Sequence, residues 1–337
     1  MRILFLGADS GTSFHRYSGF DRIGHEAHLI DPRKLLPGSA IIDQVEWRLS
    51  PGILEGWIQF ALKKKLRNHT YDVAFVDNGT LIGPNTVRFL KSICKAVVNF
   101  NHDDPFGFRD RTRFSLYRRA VPLYDLIVVV RQENVVEAKE LGARKILYTY
   151  RVADDVEHSP VEVSIADRER WQSDVAFIGT WMPERGPVLA RLLELGVPLS
   201  IFGDRWQRAP EWPALKGAWR MPGLESKEYR LAVQCAKICI GLVSKGNRDQ
   251  HTTRSMEIPA LGSVFCAERT PEHLMLYQDG EEAVFWDSAE ECASRCRQLL
   301  EDDVKRVRIA LKGQQRFLRS QNTTDHLLRK ILTQALE

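Results

Sequence analysis

Long apolar runs and closely spaced cysteines are both absent from this sequence of 337 residues. The longest apolar runs, such as residues 126–130, are far shorter than the roughly 18 residues that a membrane-spanning helix needs. The six cysteines show no Cys-x-x-Cys spacing, so we expect reduced, buried thiols rather than a metal site. The chain opens on a strand pattern without a leader-like segment, which predicts a cytoplasmic protein, either free or at the inner face of the membrane.

A strong charge of either sign is also missing. Lysine and arginine number 48, aspartate and glutamate 44, and the net charge is +4. This balance lacks the basic stripe of a nucleic-acid-binding protein, so we expect no nucleic-acid partner, whereas a phosphorylated ligand or an anionic membrane surface is compatible with it. The apolar share of 44% is typical of a folded globular chain. The length predicts two domains of roughly 150 residues each.

Short apolar runs alternate with helical patterns in both halves of the chain. This alternation predicts two doubly wound α/β domains with parallel sheets, because strands buried on both faces are continuously apolar. A polar, acidic stretch at residues 153–172 interrupts the pattern and indicates the boundary between the domains. We therefore predict domains over residues 1–160 and 161–310, followed by a C-terminal segment over residues 311–337.

The first half lacks the Gly-x-Gly-x-x-Gly loop of dinucleotide-binding proteins. Residues 7–11, which follow the first predicted strand, include Asp9 and Ser10 instead, and this disfavours a redox cofactor site. Open α/β sheets bind ligands at the carboxyl ends of their strands. The loop is therefore either a ligand site with backbone amides and Ser10 facing a cleft, or a structural turn.

His102 and Asp103 follow another predicted strand, residues 96–100. An imidazole beside a carboxylate suits a general base or a substrate-orienting pair near neutral pH. The alternative is structural, because an aspartate just before Pro105 can cap a helix. We take His102, Asp103 and Asp9 as the candidate catalytic residues.

Two strand ends in the second half are candidates for nucleotide binding. Gly179 and Thr180 lie between a predicted strand and a predicted helix, where a glycine admits a close ligand and the helix start offers backbone amides to phosphate. Arg185 adds a planar fork of donors for phosphate oxygens. Trp206 follows the neighbouring strand and either borders a nucleotide base or packs in the core.

The densest group of cationic side chains follows a strand that ends near residue 243, and its members are Lys245, Arg248, His251 and Arg254. Several cationic donors in one loop are what binding of a diphosphate requires. Glu257 follows Arg254 by three residues, so on a helix the two share a face and the carboxylate can accept hydrogen bonds from ribose hydroxyls. The alternative is an exposed basic loop with a structural Arg–Glu pair, although the glycines nearby favour close approach of a ligand.

The same segment resembles a known family. The pattern Arg254-x-x-Glu257-x-x-Ala260-x-Gly262 is similar to that of the CgeB-type glycosyltransferases, a spore-maturation-related branch of the GT-B superfamily. Further similar segments are residues 174–180, 201–206, 268–272 and 279–283. The resemblance implies a GT-B fold, in which two Rossmann-like domains face a central cleft and the second domain binds the donor nucleotide.

The resemblance also implies roles for particular residues. Retaining members of the superfamily often carry Glu, seven residues and Glu, and Asp249 and Glu257 have this spacing. Glu257 would then hold the ribose and Asp249 would contact the donor sugar. The acceptor would bind the first domain, where Asp9, His102 and Asp103 are the candidates, and the C-terminal helix would cross back onto that domain. No metal or other cofactor is expected, since cationic side chains and helix dipoles can stabilise the leaving diphosphate.

Together these features predict a hexosyltransferase-like enzyme that moves a sugar from a UDP-, GDP- or dTDP-sugar to a glycan, lipid-linked or protein acceptor of the cell envelope. A nucleotide-sugar epimerase of the same fold and a nucleotide-sugar-binding protein without transferase activity are the alternatives. Residues 57–67 combine an apolar front with the basic run Lys63, Lys64 and Lys65. This suits either peripheral contact with a membrane or a core-facing helix with a solvated end.

Overall fold

The structure, a computed structural model, describes residues 1–36, 52–110 and 112–337. By its internal contacts the chain divides into two units. Unit 1 comprises Met1–Tyr150, Gly246–Arg248 and Thr324–Glu337, and unit 2 comprises Arg151–Lys245 and Asp249–Thr323. Each unit is a parallel sheet flanked by helices, which confirms the predicted α/β class.

The described residues of unit 1 form six strands, β1 (Arg2–Leu6), β2 (Glu26–Ile30), β3 (Tyr71–Asp77), β4 (Cys94–Asn101), β5 (Leu126–Val129) and β6 (Ile146–Tyr148). All pair in parallel, in the order β2-β1-β3-β4-β5-β6. Its helices are α1 (Gly11–Arg22), α2 (Gly52–Lys65), α3 (Pro84–Ile93), α4 (Ser115–Ala120), α5 (Gln132–Glu140) and the last helix of the chain, α14 (Thr324–Leu336). Helix α14 packs on α1, where Arg22 donates to Asp325 Oδ1 at 2.7 Å.

Unit 2 contains the strands β7 (Ser173–Ile178), β8 (Leu199–Phe202), β9 (Trp219–Met221), β10 (Ala236–Gly241), β11 (Val264–Glu268) and β12 (Val284–Trp286). They pair in parallel in the order β12-β11-β10-β7-β8-β9. The helices are α6 (Ile165–Trp171), α7 (Arg185–Glu194), α8 (Trp212–Leu215), α9 (Ser226–Gln234), α10 (Arg254–Ala260), α11 (Pro271–Leu276), α12 (Ala289–Glu301) and α13 (Asp303–Ser320).

The two cores follow from continuously apolar central strands. In β1, the four residues Ile3, Leu4, Phe5 and Leu6 have no exposed surface, because helices cover both faces of a doubly wound sheet. All six cysteines are buried and none forms a disulfide, which confirms the predicted buried, reduced thiols. The expected absence of a metal site stays a prediction. Among the described helices, none is long and apolar enough to cross a membrane.

Helix α1 begins three residues earlier than its sequence pattern suggests. The apolar pattern predicts a start at Phe14, whereas the helix starts at Gly11. Ser10 occupies the N-cap position with an extended backbone, and its side chain forms no capping hydrogen bond. The loop after β1 is therefore short, and the start of α1 lies at the carboxyl end of the strand.

In each sheet the strand order reverses once, because the chain adds strands first on one side of its starting strand and later on the other side. In unit 1 this switch point lies between β1 and β3, and in unit 2 it lies between β7 and β10. Loops on either side of such a point leave a crevice outside the carboxyl ends of the strands, and ligands of doubly wound sheets bind there. The topology thus indicates one candidate crevice in each unit.

Candidate functional site

The loop after β7 holds a cation beside a glycine. Arg185 opens helix α7, and its Nη1 donates to the carbonyl oxygen of Thr180 at 2.8 Å. Its Nε is buried and, within the described part of the chain, has no hydrogen-bond partner. Burial lowers the pKa of Arg185, yet a guanidinium stays charged at any physiological pH. A half-buried cation with an unpaired donor near Gly179 is suited to binding an anion.

Close packing of two loops fixes the position of Gly179. A Cβ at Gly203 would lie 2.0 Å from the carbonyl oxygen of Gly179, so no larger residue fits at position 203. Trp206 Nε1 donates to the same carbonyl oxygen at 3.0 Å, and its ring is fully buried against Phe177. Trp206 therefore shapes the Gly179 loop from within the core, and in this conformation it presents no exposed ring face to a base.

Lys245 follows β10 on the other side of the switch point. Glu268, the last residue of β11, accepts a hydrogen bond from the backbone N–H of Val243 at 2.7 Å. The other carboxylate oxygen of Glu268 lies 3.7 Å from Nζ of Lys245. The Lys245 side chain is mostly exposed, so its ammonium group can reach an anion in the crevice.

Arg254 connects the two strands at the switch point. It opens helix α10, and its Nε donates to the carbonyl oxygen of Ile178, the last residue of β7, at 3.0 Å. Its Nη1 contacts Glu257 Oε2, so the two residues share a helix face. Although burial disfavours its charged form, the Glu257 carboxylate raises the pKa of Arg254 above its ordinary value.

Glu257 is the centre of a buried network. Only 2% of its surface is exposed. Besides Arg254, the hydroxyl of Tyr229 donates to Oε2 at 2.7 Å, and Nε2 of His158 lies 3.3 Å from Oε1. Burial opposes ionisation of Glu257, but Arg254, His158 and Tyr229 outweigh it and lower the pKa of the carboxyl to about 2. Glu257 is therefore a fixed anion that orients Arg254.

His251 is a neutral, buried imidazole rather than an exposed cation. Its Nε2 accepts the backbone N–H of Arg151 at 2.8 Å, so the ring proton resides on Nδ1, which contacts Glu272. Burial lowers the pKa of His251, in agreement with that tautomer. Arg151 also lies 3.3 Å from Asp249 Oδ1 through its Nη2. His251 and Asp249 thus form a small network that supports the loop after β10.

Arg248 belongs to unit 1 and is paired with two carboxylates there. Its Nε and Nη2 donate to Asp104, both at 2.7 Å. Nη1 and Nη2 donate to Glu137 at 2.9 and 3.0 Å. These contacts raise the pKa of Arg248. The sequence predicts Arg248 as a diphosphate ligand, but in this conformation its charge is already balanced by acidic side chains of unit 1.

A cavity of about 370 Å³ opens at the switch point of unit 1. The loops after β1 and β3 form most of it, and polar side chains in its lining are Ser10, Thr12, Ser13, Asp31, Arg33, Asp77, Asn78, Thr80, His102 and Arg113. Hydroxyl, amide and charged groups on several sides suit a ligand with many hydroxyl groups.

Asp77 and Arg16 lie beside this cavity as a buried ion pair. Arg16 Nε and Nη2 each donate to one Asp77 oxygen at 2.9 Å. Arg16 Nη2 also lies 3.5 Å from Nδ1 of His102, which orients the imidazole. Neither Asp77 nor Arg16 was selected from the sequence. The position of Asp77 at the carboxyl end of β3 would have indicated it.

Asp9 and Asp103, which the sequence predicts as catalytic residues beside His102, lie outside the lining of this cavity. Asp9 pairs with Lys34, and both side chains are more than one-third exposed. Asp103 accepts a hydrogen bond from Asn78 Nδ2 at 2.9 Å and lies 3.6 Å from Arg113 Nη1. Because Asn78 and Arg113 line the cavity, Asp103 is one contact away from it.

Helix α2 has both features that its sequence suggests. Ile58 and Leu62 are fully buried in the core of unit 1, whereas Trp57 and Phe60 are more than half exposed. The lysines at the end of the helix, Lys63, Lys64 and Lys65, are also exposed. The helix is therefore core-facing on one side and carries an aromatic and basic surface on the other.

Part of the chain, most of it in unit 2, matches a family model. Residues 185–333 match the family model for "Glycosyl transferase-like" proteins. This segment contains Arg185, Lys245, Arg254 and Glu257. No curated protein sequence matches the chain.

Solved structures of similar fold include a protein named as a glycosyltransferase and one in complex with UDP-glucose. Sucrose-phosphate synthase from Thermosynechococcus elongatus has a TM-score of 0.72 at 12% identity, over 100% of this chain and 99% of that chain. Anabaena HepE in complex with UDP-glucose has a TM-score of 0.68 at 14% identity, over 99% of each chain. A glycosyltransferase from Rickettsia africae has a TM-score of 0.62 at 13% identity, over 98% of this chain and 97% of that one. The protein thus has the GT-B glycosyltransferase fold.

Proposed function

We propose that this protein transfers a glycosyl group from a UDP-sugar to a hydroxyl group of a glycan, lipid-linked or protein acceptor. The observation that carries the proposal is the placement of Arg185, Lys245 and Arg254 in the segments that follow β7 and β10, where Arg185 and Arg254 open helices α7 and α10. These are the two strands that border the switch point of unit 2. The choice of UDP is supported by HepE, whose similar fold was solved with UDP-glucose.

The donor site would work by stabilising the leaving diphosphate. When the bond between the sugar and the diphosphate breaks, negative charge grows on the bridging oxygen, and preoriented cations lower the energy of that state. Arg185 offers the buried Nε described above, and Arg254 is held in place by Glu257 and Ile178. In this proposal no metal ion is needed for the transfer.

Glu257 would combine two roles. Its Oε2 holds Arg254 and Tyr229, while Oε1, which lies 3.3 Å from His158 Nε2, is the oxygen that we assign to a ribose hydroxyl. Asp249, which Arg151 holds in place, would contact the donor sugar.

The cavity of unit 1 would bind the acceptor. Its hydroxyl and amide lining matches a sugar-like ligand, and His102 in its wall would accept or orient the proton of the attacking hydroxyl. Asp103 and Asp9 would assist from its margin. A cell-envelope acceptor, a hexosyl donor and membership of the CgeB-type branch are part of this proposal, and so is a cytoplasmic location.

A thermal-shift screen with UDP, GDP, dTDP, CMP and NAD(H) tests the donor site. We expect an increase in the unfolding temperature with UDP, diminished in the Glu257→Ala and Arg185→Gln variants. A shift with NAD(H) alone, or none with any nucleotide, would contradict the proposal.

Product analysis with UDP-sugars then separates the three possible activities. Release of UDP only in the presence of an acceptor indicates transfer. A changed sugar without an acceptor indicates an epimerase, and UDP binding without turnover on any acceptor tested indicates a binding protein.

A further inference from the structure

Helix α13 (Asp303–Ser320) exposes large apolar side chains at regular spacing. Val304, Val307, Leu311 and Leu318 are 79%, 52%, 53% and 67% exposed. At 100° per residue these positions fall within an arc of about 60°, and they extend about 21 Å along the helix axis. They therefore form one continuous strip, which we call the apolar strip, rather than isolated surface residues.

A basic residue directly follows each member of the apolar strip. Lys305, Arg308, Lys312 and Arg319 occupy these positions and so lie about 100° further around the helix, as a second, parallel strip. The whole helix contains six basic residues and one acidic residue, Asp303. We call the two strips together the α13 face.

The apolar strip is not needed for packing within unit 2. The opposite side of α13 already supplies Ile309 and Phe317 to the core, with at most 5% of each exposed. On that side a Cβ at Gly313 would lie 2.4 Å from the carbonyl oxygen of Glu282, so the helix is in close contact with the unit. The exposed apolar side chains are additional to this buried surface.

The positive charge of the α13 face indicates whether a second copy of the chain or an anionic surface binds there. Two basic residues have acidic neighbours, since Lys312 pairs with Glu281 and Arg319 lies 3.9 Å from Glu282. The four basic residues still outnumber these two carboxylates. A second copy of the chain on the same face would bring two basic strips together, which is unfavourable. An anionic surface with an apolar interior complements both strips.

We propose that the α13 face binds the surface of an anionic lipid bilayer. The apolar strip enters the boundary between headgroups and acyl chains, and the basic strip contacts the lipid phosphates, as in amphipathic helices that lie in the plane of a membrane. This inference does not depend on the proposed transfer reaction, because vesicle binding requires neither donor nor acceptor.

Co-sedimentation of the full chain with vesicles tests the proposal. The vesicles contain phosphatidylcholine with about one-third phosphatidylglycerol, and pure phosphatidylcholine vesicles are the comparison. Two double variants, Val307→Gln/Leu311→Gln and Lys305→Gln/Arg308→Gln, each alter one strip. Ile165→Gln is the matched control, because Ile165 is 81% exposed on helix α6 and lies outside the α13 face.

We expect the wild type and the control to bind the anionic vesicles and to bind pure phosphatidylcholine much less. Removing two basic charges should weaken binding roughly 10- to 30-fold, from the contribution of each Lys or Arg near an anionic surface. Removing the two apolar side chains should weaken it about as much, with unchanged unfolding temperature and UDP response in both variants.

Two results would overturn the proposal. One is equal pelleting of the wild type and both α13 variants, in which case Trp57→Gln/Phe60→Gln, measured beside them, shows whether helix α2 binds the vesicles instead. The other is a dimer in light scattering that Leu311→Gln dissociates, because the α13 face would then be an interface between two copies of the chain.

Discussion

Replacing Glu257 by glutamine should destabilise unit 2 measurably. The substitution keeps the shape of the side chain but leaves Arg254 without its carboxylate partner. Breaking a fully buried ion pair in this way typically costs about 3–5 kcal/mol, which is an upper range here because the Arg254 side chain is 30% exposed. An independent value follows from the pKa of Glu257, which is about 2 against an ordinary value of 4.5. That difference corresponds to about 3 kcal/mol of stabilisation.

The pH dependence of this stabilisation has a defined sign. Because the pKa of Glu257 is lower in the folded state, the contribution is complete above about pH 4.5 and is lost as the pH falls towards about 2. The wild type should therefore lose stability in this range faster than the Glu257→Gln variant. The difference between the two proteins should be largest near pH 7 and should narrow at about pH 3.

Thermal unfolding followed by circular dichroism measures this effect. A loss of about 3 kcal/mol lowers the unfolding temperature by roughly 6–12 °C in a domain of this size. Glu290→Gln is the control, since Glu290 forms an exposed pair with Arg191 and such pairs contribute little. Two results would refute the network described for Glu257. One is an unfolding temperature of Glu257→Gln equal to that of the wild type at pH 7, and the other is a difference between the two unfolding temperatures that is as large at pH 3 as at pH 7.

Three further predictions concern single side chains. Arg185→Gln should weaken UDP binding about 10- to 100-fold in calorimetry, the loss expected for a hydrogen bond to a charged group, and unchanged affinity would remove Arg185 from the donor site. Asp77→Asn should lower the unfolding temperature by breaking the buried pair with Arg16 without changing the dissociation constant of UDP, and a weaker UDP complex would contradict the assignment of Asp77 to a separate cavity. His102→Gln should reduce the turnover number at least 100-fold if the imidazole transfers the acceptor proton, and full activity would exclude that role.

Continuous apolar runs were sufficient to predict most of the strands. Residues 126–130 and 175–178 are such runs, and they coincide with Leu126–Val129 and with most of Ser173–Ile178 in the structure. The edge strand β9 (Trp219–Met221) was not predicted, because its three residues include an exposed arginine and form no apolar run. Short edge strands are specified by their neighbour in the sheet more than by their own composition.

Partners of charged side chains could not be predicted from local spacing. The Arg254–Glu257 contact joins residues three positions apart, so the helical period suggested it. Arg248 instead pairs with Asp104 and Glu137, which are 144 and 111 positions away in the chain. The protonation state of His251 also depends on a distant residue, because the backbone N–H that donates to its Nε2 belongs to Arg151, 100 positions earlier in the chain. Such contacts depend on the assembled fold.

The order of the strands in each sheet determines which of the separately predicted loops lie next to each other. The loops after β7 and β10 are about 60 residues apart in the sequence, and nothing local indicates that they meet. The sheet places these strands side by side, and Arg254, at the start of the helix that follows the second loop, donates to the carbonyl oxygen of Ile178 at the end of β7. In unit 1 the corresponding neighbours are β1 and β3, so the residue that completes the cavity there is Asp77 rather than Asp9. A sequence interpretation that includes strand order would therefore have selected Asp77 and the loop after β3 as candidates.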